Sequence, residues 1–105
     1  MEKCKTMERE IEAGMGRLAE QNGGMFLKFD PSGARGFPDR ILLLPGGKAV
    51  WVEMKRPEGG RVSAAQRVAH LRLRRMGQRV EIVATMEQAR ALIGELAETR
   101  TRPPE

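Results

Sequence analysis

The stretch that most constrains the fold is residues 39–55, DRILLLPGGKAVWVEMK, in which a short turn separates two apolar runs. Pro45–Gly47 supplies the turn residues, and apolar runs on either side of a short glycine-containing loop predict an antiparallel hairpin. If these three residues form the loop, Leu44 pairs with Lys48 and the register follows outwards from that pair. The hairpin is therefore predicted together with the pairing of its two strands.

Charged side chains lie at the open end of this hairpin. The register places Asp39 opposite Glu53, and Lys55 shares a strand face with Glu53 because side chains alternate along a strand. Opposed carboxylates destabilise a sheet, and a divalent cation between them offsets the repulsion. Mg²⁺ and Mn²⁺ suit such oxygen ligands. The structural alternative is that Asp39 ends a loop and that Glu53 pairs with Lys55 on an edge strand.

The rest of the chain is predicted to contain three helices and two more strands. Apolar residues at helical spacing indicate the first helix, and Ser63 and Thr85 are suitable N-caps for the other two. The predicted ranges are Thr6–Gln21, Met25–Phe29, Ser63–Gly77, Arg79–Ala84 and 85–97. In the order α-β-β-β-α-β-α, the second helix connects two parallel strands. The fold class is therefore α/β, with a mixed sheet of about four strands flanked by helices.

The apolar stripe of the second helix is imperfect, because Arg72 falls among Val68, Ala69 and Met76. His70 lies in the middle of the same helix. A surface or packing role is expected for this histidine rather than catalysis.

Size and charge indicate a class of partner. The chain has 105 residues, the length of one domain, and carries 19 Lys and Arg against 14 Asp and Glu. The formal charge of +5 favours a polyanionic partner such as nucleic acid. One Trp, three Phe and no Tyr argue against a base-stacking platform, so contact with a phosphate backbone is expected.

Cellular location is indicated by what the sequence lacks. Cys4 is the only cysteine, which rules out an internal disulfide and a cysteine-based zinc cluster and favours a reducing compartment. No apolar stretch approaches the roughly 20 residues of a membrane span. A secretory signal requires an apolar segment after its charged start, and none follows MEKCKTMEREIE. The protein is therefore expected in the cytoplasm, without a membrane partner.

These residues belong to a longer pattern that resembles a known family. Pro38–Asp39 followed by Glu53–Lys55 resembles the signature of the PD-(D/E)xK nuclease superfamily. Residues 28–66, KFDPSGARGFPDRILLLPGGKAVWVEMKRPEGGRVSAAQ, resemble the VRR-NUC family of virus-type replication-repair nucleases. The resemblance extends from about residue 7 to residue 86 and is closest to compact stand-alone phage members. It implies a restriction-endonuclease-like fold over residues 1–98 and a bacterial or phage-infected cell as the setting. The terminal TRTRPPE separately predicts a flexible tail at 99–105.

The resemblance also implies roles for individual residues. Asp39, Glu53 and the Met54 backbone carbonyl would bind Mg²⁺ or Mn²⁺, with an acid from the first helix. Glu8 matches that acid best, and Glu12, one helical turn later, is the competitor. The catalytic set implied by the family is Glu8, Asp39, Glu53, Lys55 and Gln66. Ser63 and Gln66 equally fit a capping box, which is a purely structural role.

Implied activity and partners follow from the same likeness. The family suggests a metal-dependent, structure-specific DNA endonuclease, acting on Holliday junctions or other branched DNA as a homodimer. The residues expected to contact DNA are Lys28, Ser32, Arg35, Arg67 and Arg74. The alternatives are a non-catalytic DNA-binding module with a nuclease-like fold, and a basic structural or regulatory protein that binds no metal.

Overall fold

A computed structural model describes residues 2–30, 32–33 and 35–99, except the side chains of residues 2–7 and 99. The predicted order of elements and the α/β class are confirmed. The elements are α1 Glu2–Gln21, β1 Met25–Lys28, β2 Arg40–Leu44, β3 Lys48–Met54, α2 Ala64–Arg75, β4 Arg79–Val83 and α3 Met86–Thr99. Except for Thr99 in α3, the predicted tail lies outside the described residues, and so does the side chain of Cys4.

The four strands form one mixed sheet in the order β1-β2-β3-β4. β2 pairs antiparallel with both β1 and β3, and β3 runs parallel to β4 across the α2 connection. The hairpin register is the predicted one, from Leu44 opposite Lys48 to Arg40 opposite Val52. Gly46 and Gly47 both have positive φ, 93° and 77°, which glycine adopts without a steric penalty. The turn chemistry therefore fixes which strand residues face each other.

One face of the sheet forms the main core. Helices α1 and α3 cover it, and the buried side chains include Met15 and Ile93 from the helices and Leu42, Val52 and Met54 from the strands. The burial of Met54 agrees with the expectation that the middle residue of Glu53–Lys55 points away from the charged side chains. The charged residues on either side of it therefore lie on the opposite face.

The opposite face is only partly covered. Helix α2 packs there through Ala69, His70 and Leu73, all of which are buried. The predicted stripe on this helix was wrong at two positions, because Val68 and Met76 are exposed. A single helix over a narrow part of the sheet can bury only a narrow stripe, so these side chains face outwards. 

Several predicted element ends also differ from the structure. α1 begins at Glu2 rather than near Thr6, since helix formers such as Glu and Lys extend a helix without any apolar spacing. Asp39 lies just before β2 and Lys55 just after β3. Their backbones stay attached to the sheet: Phe29 N donates to the Asp39 carbonyl over 2.7 Å, and Lys55 N donates to the Val83 carbonyl over 2.9 Å. Smaller shifts occur at the ends of β1, α2, β4 and α3.

None of the helices in the described part of the chain has the length and apolar character to cross a membrane.

Candidate active site at the open end of the hairpin

Three of the predicted catalytic residues are in direct contact. Lys55 Nζ donates to Gln66 Oε1 over 2.8 Å, and Gln66 Nε2 donates to Glu53 Oε2 over 3.1 Å. Lys55 Nζ also lies 4.0 Å from Glu53 Oε2. The end of β3 and the first turn of α2 therefore bring a cation, an amide and a carboxylate into one cluster.

The capping box at the start of α2 is present and positions this amide. Gln66 N donates to Ser63 Oγ over 3.1 Å, and Ser63 N donates to Gln66 Oε1 over 2.9 Å. Gln66 Oε1 thus accepts hydrogen bonds from both Ser63 and Lys55, which leaves its Nε2 directed at Glu53. The structural and the site interpretations of Gln66 hold together, because the cap fixes the side chain that contacts Glu53.

Asp39 is held by a neighbour that the sequence patterns did not indicate. Arg40 Nη1 lies 3.2 Å from Asp39 Oδ2, and Arg40 Nη2 contacts both carboxylate oxygens of Glu12 at 3.0 and 3.1 Å. Arg40 follows Asp39 in the chain, and its role becomes visible only when α1 is placed against β2. Glu12 is therefore engaged in an ion pair with Arg40.

The electrostatics of Glu53 show which other acids are near it. Burial raises the pKa of Glu53 to about 7; Lys55 opposes this rise, and the negative charges of Asp39 and Glu8 add to it. Glu8 from α1 thus acts on Glu53, whereas Glu12 is paired with Arg40. The site is a group of acids of which the most buried, Glu53, resists ionisation.

The loop before Asp39 packs closely against α2. Gly36 has φ of +84°, and a Cβ at this position would overlap the Ala65 carbonyl in the first turn of α2. Only glycine permits this approach. The contact holds the loop that ends in Asp39 against the helical turn that carries Gln66.

His70 is a site residue that sequence reasoning missed. Its side chain is 3% exposed, which excludes the surface alternative and agrees with the packing alternative, and Nε2 lies 3.5 Å from Glu53 Oε1. Burial, together with the nearby Arg74 and Lys55 charges, lowers the pKa of His70, which favours the neutral imidazole. The available signal was spacing: position 70 is one helical turn after Gln66, on the same side of α2.

The donor set fits a hard divalent cation, although it is not a preformed cluster. Among the described residues, no three His, Cys, Asp or Glu side chains lie close enough together to hold a metal ion. Glu53 Oε1 is buried and has no hydrogen-bond partner in the described structure, and the charges of Asp39 and Glu8 act on the same carboxylate. Carboxylate and carbonyl oxygens, including the Met54 carbonyl, are the ligands that Mg²⁺ and Mn²⁺ prefer.

The predicted DNA-contacting residues lie in two groups. Lys28, Ser32 and Arg35 are exposed on β1 and the following loop; Lys28 pairs with Arg40 in the sheet and does not join the Lys55 cluster. Arg67 and Arg74 lie on α2 beside His70. Together with Arg61, Val62 and Ile82 they surround a pocket of about 480 Å³. We call Arg61, Arg67 and Arg74 the arginine pocket.

Comparisons with known proteins support the fold and a nuclease family. No family model matches the chain. The chain is 35% identical over 80 residues to "Putative nuclease p44" of Acyrthosiphon pisum secondary endosymbiont phage 1, a match covering 76% of this chain and 85% of that protein. A solved structure described as a VRR_NUC domain superposes with a TM-score of 0.76 at 30% identity, covering 84% of this chain and 95% of that one. With this agreement of sequence and fold, the chain belongs to the VRR-NUC family of nucleases.

Proposed function

We propose that the protein is a metal-dependent endonuclease that hydrolyses phosphodiester bonds in DNA. The observation that carries the proposal is the contact of Lys55 and Gln66 with Glu53, at the hairpin end that also carries Asp39. The Lys55 ammonium beside these acids suits a reaction in which negative charge develops on a phosphate. The nuclease names of the related phage protein and solved domain support the same activity.

The metal would be held by Asp39, Glu53 and the Met54 carbonyl, with Glu8 contributing directly or through water. When bound, Mg²⁺ or Mn²⁺ supplies Lewis-acid stabilisation of the charge on the reacting phosphate. Glu8 is favoured over Glu12 as the acid from the first helix, because the Glu12 carboxylate is engaged by Arg40 through both oxygens.

Lys55 would stabilise the transition state. An ammonium has three donors, and Gln66 Oε1 accepts one of them in this structure. The remaining donors can reach a phosphate oxygen or the attacking water. Gln66 keeps the ammonium in place from the side of α2, so its contribution is to orient Lys55 and Glu53 together.

DNA would be held through its phosphate backbone by the arginine pocket. Neither Arg61 nor Arg67 has an ion-pair partner within the described part of the chain, whereas Arg79 on the other side of β4 is paired with Glu81 and Glu95. Unpaired guanidinium groups around a concave surface suit phosphate oxygens. The pocket adjoins Glu53 through His70, which lines it. Lys28, Ser32 and Arg35 are proposed as additional backbone contacts on the loop side.

The proposed substrate is branched or junction DNA, and the proposed active form is a homodimer. Contacts to the backbone position DNA without reading its sequence, so the shape of the DNA would decide what is cut. A two-fold dimer presents two sites to the two strands of a symmetric junction. The exposed apolar side chains of Met25 and Leu27 on β1, 51% and 43% exposed, support self-association. Sedimentation equilibrium measures the oligomeric state directly. The domain limits at residues 1–98 and a cytoplasmic location stay predictions.

A cleavage panel tests the proposal. Junction, flap, nicked and linear duplex DNA are incubated with Mg²⁺, Mn²⁺, Ca²⁺ or EDTA. We expect cleavage of branched DNA with Mg²⁺ or Mn²⁺, little turnover with Ca²⁺, and none with EDTA. Asp39→Asn should lose Mn²⁺ binding and cleavage together. Tight DNA binding without cleavage under every metal condition would instead support the non-catalytic binding module.

A further inference from the structure

His70 is a buried polar residue that the proposed reaction does not use, and it lies against Glu53. Glu53 Oε1 and His70 Nε2 are both buried, and neither has a hydrogen-bond partner among the described residues. The two atoms face each other at 3.5 Å. Buried polar groups without partners are costly, so a hydrogen bond between these two atoms would satisfy both.

One proton satisfies both atoms. A neutral imidazole with its proton on Nε2 donates to a carboxylate oxygen, whereas the tautomer protonated on Nδ1 would place two acceptors against each other. When Glu53 is ionised, as a metal ligand must be, the pair therefore requires the tautomer with Nε2–H.

Helix α2 then holds both oxygens of Glu53. Gln66 donates to Oε2 from the first turn of the helix, and His70 faces Oε1 from the next turn. Two donors from one rigid element fix the plane of the carboxylate. Each carboxylate oxygen retains a free lone pair, so this arrangement leaves acceptor capacity for a cation.

We propose that His70 is a positioning residue that donates Nε2–H to Glu53 Oε1 and holds this carboxylate in its metal-binding orientation. The inference rests on the proposed function for its metal, and it assigns to His70 no contact with the substrate. Loss of comparable partners of metal ligands typically weakens metal affinity by about 10–100-fold.

Two substitutions separate positioning from packing. His70→Leu fills the space without a donor, and His70→Gln retains an amide donor near the position of Nε2. Calorimetric titration with Mn²⁺, without DNA, should show about 10–100-fold weaker binding for His70→Leu and recovery of most of that loss in His70→Gln. Leu73→Met, a change at a buried α2 position, is the packing control and should leave Mn²⁺ affinity unchanged.

A second measurement needs no metal. Carbon-13 relaxation of the Glu53 side-chain methylenes should report greater mobility in metal-free His70→Leu than in wild type or His70→Gln. Equal Mn²⁺ affinity in wild type and His70→Leu, or equal losses in the Leu and Gln variants, would overturn the positioning role. If wild type binds no Mn²⁺, the metal mechanism fails by itself. An immobile Glu53 in the relaxation data for His70→Leu would then reject the His70 proposal separately.

Discussion

At the scale of single residues, Glu53 lies in surroundings that oppose its ionised form. Burial is the largest cause of its raised pKa, and the negative charges of Asp39 and Glu8 offset part of the lowering by Lys55. Its pKa of about 7 means that the metal-free site is only partly ionised at neutral pH. A cation bound there, as proposed, would displace the remaining proton and complete the ionisation.

The raised pKa of Glu53 predicts a pH-dependent stability difference. The pKa of Glu53 is about 7 in the fold against an ordinary value of 4.5, so between these limits the folded state binds more protons and stability falls as the pH rises. Glu53→Gln removes the titrating group. We expect the variant to gain stability relative to wild type as the pH rises from about 4.5 to 7, by up to about 3 kcal/mol.

Urea denaturation in EDTA across this pH range measures the difference. Glu87→Gln, an exposed acid on α3, is the control and should follow wild type at every pH. Wild-type and Glu53→Gln stabilities that run parallel across the range would show that Glu53 carries no such penalty.

The sequence indicated the site residues whose spacing carries a signature, and it missed those whose partners come from another element. Glu53, Lys55 and Gln66 were predicted, and the structure brings them into contact. Arg40 and His70 were not, because their contacts depend on how α1 and α2 pack against the sheet. No local sequence pattern distinguishes an arginine that pairs with a distant acid, as Arg40 does with Glu12, from an exposed arginine.

At the scale of elements, the loop before Asp39 contacts the first turn of α2, which carries Gln66. Gly36 approaches the first turn of α2 so closely that a Cβ would overlap the Ala65 carbonyl. Gly33, in the same loop, has nearly the same backbone conformation, φ +81° against +84°, but open space around it. The pair therefore separates backbone strain from close packing.

Gly36→Ala is expected to destabilise the protein more than Gly33→Ala. Both changes place an alanine in the left-handed region, at about 1–2 kcal/mol. Gly36→Ala must also displace the loop or the helix, which adds about 1–3 kcal/mol. Equilibrium denaturation gives the stabilities, and the cleavage assay should show a loss for Gly36→Ala alone. Equal effects of the two substitutions would mean that the loop does not depend on this contact.

The hairpin shows what local sequence can predict of an element. Its register was correct because Gly46 and Gly47 set the turn, and the turn sets the pairs. The strand ends were one residue out at Asp39 and Lys55, since an end depends on hydrogen bonds to a neighbouring strand or loop. The exposed sides of α2 were misjudged because the area of sheet beneath it cannot be read from the helix sequence.

At the scale of the whole molecule, some of the described arginines form ion pairs and others remain open to a partner. Arg40 and Arg79 are held by acids, whereas Arg61 and Arg67 at the arginine pocket have no ion-pair partner in the described residues. A net charge of +5 indicates a negatively charged partner, but it does not show which surface of the protein would bind it. The fold class could be predicted from the order of elements. The location of the basic surface could not, because it depends on how α2 packs on β4.

DNA binding should depend on salt and on the arginine pocket. If about four phosphates are contacted, log K should fall with log salt at a slope near −3.6. Arg67→Ala should weaken binding to every DNA shape and reduce the magnitude of the slope by about 0.9. Arg90→Ala, an exposed arginine on α3 across the sheet, is the matched control. Fluorescence anisotropy at several salt concentrations measures both, and equal losses for the two variants would contradict a localised binding surface.

The assignment of roles at the Lys55 cluster is the central claim, and Lys55→Met tests it most directly. Methionine keeps much of the length and apolar character of the stem, so the fold should hold, but it removes the charge that would face the transition state. Mn²⁺ titration and junction cleavage are measured on the same samples, with Asp39→Asn for comparison. The account predicts that Lys55→Met binds Mn²⁺ at least as well as wild type and cleaves about 10²–10³-fold more slowly. Cleavage by Lys55→Met at the wild-type rate would contradict it.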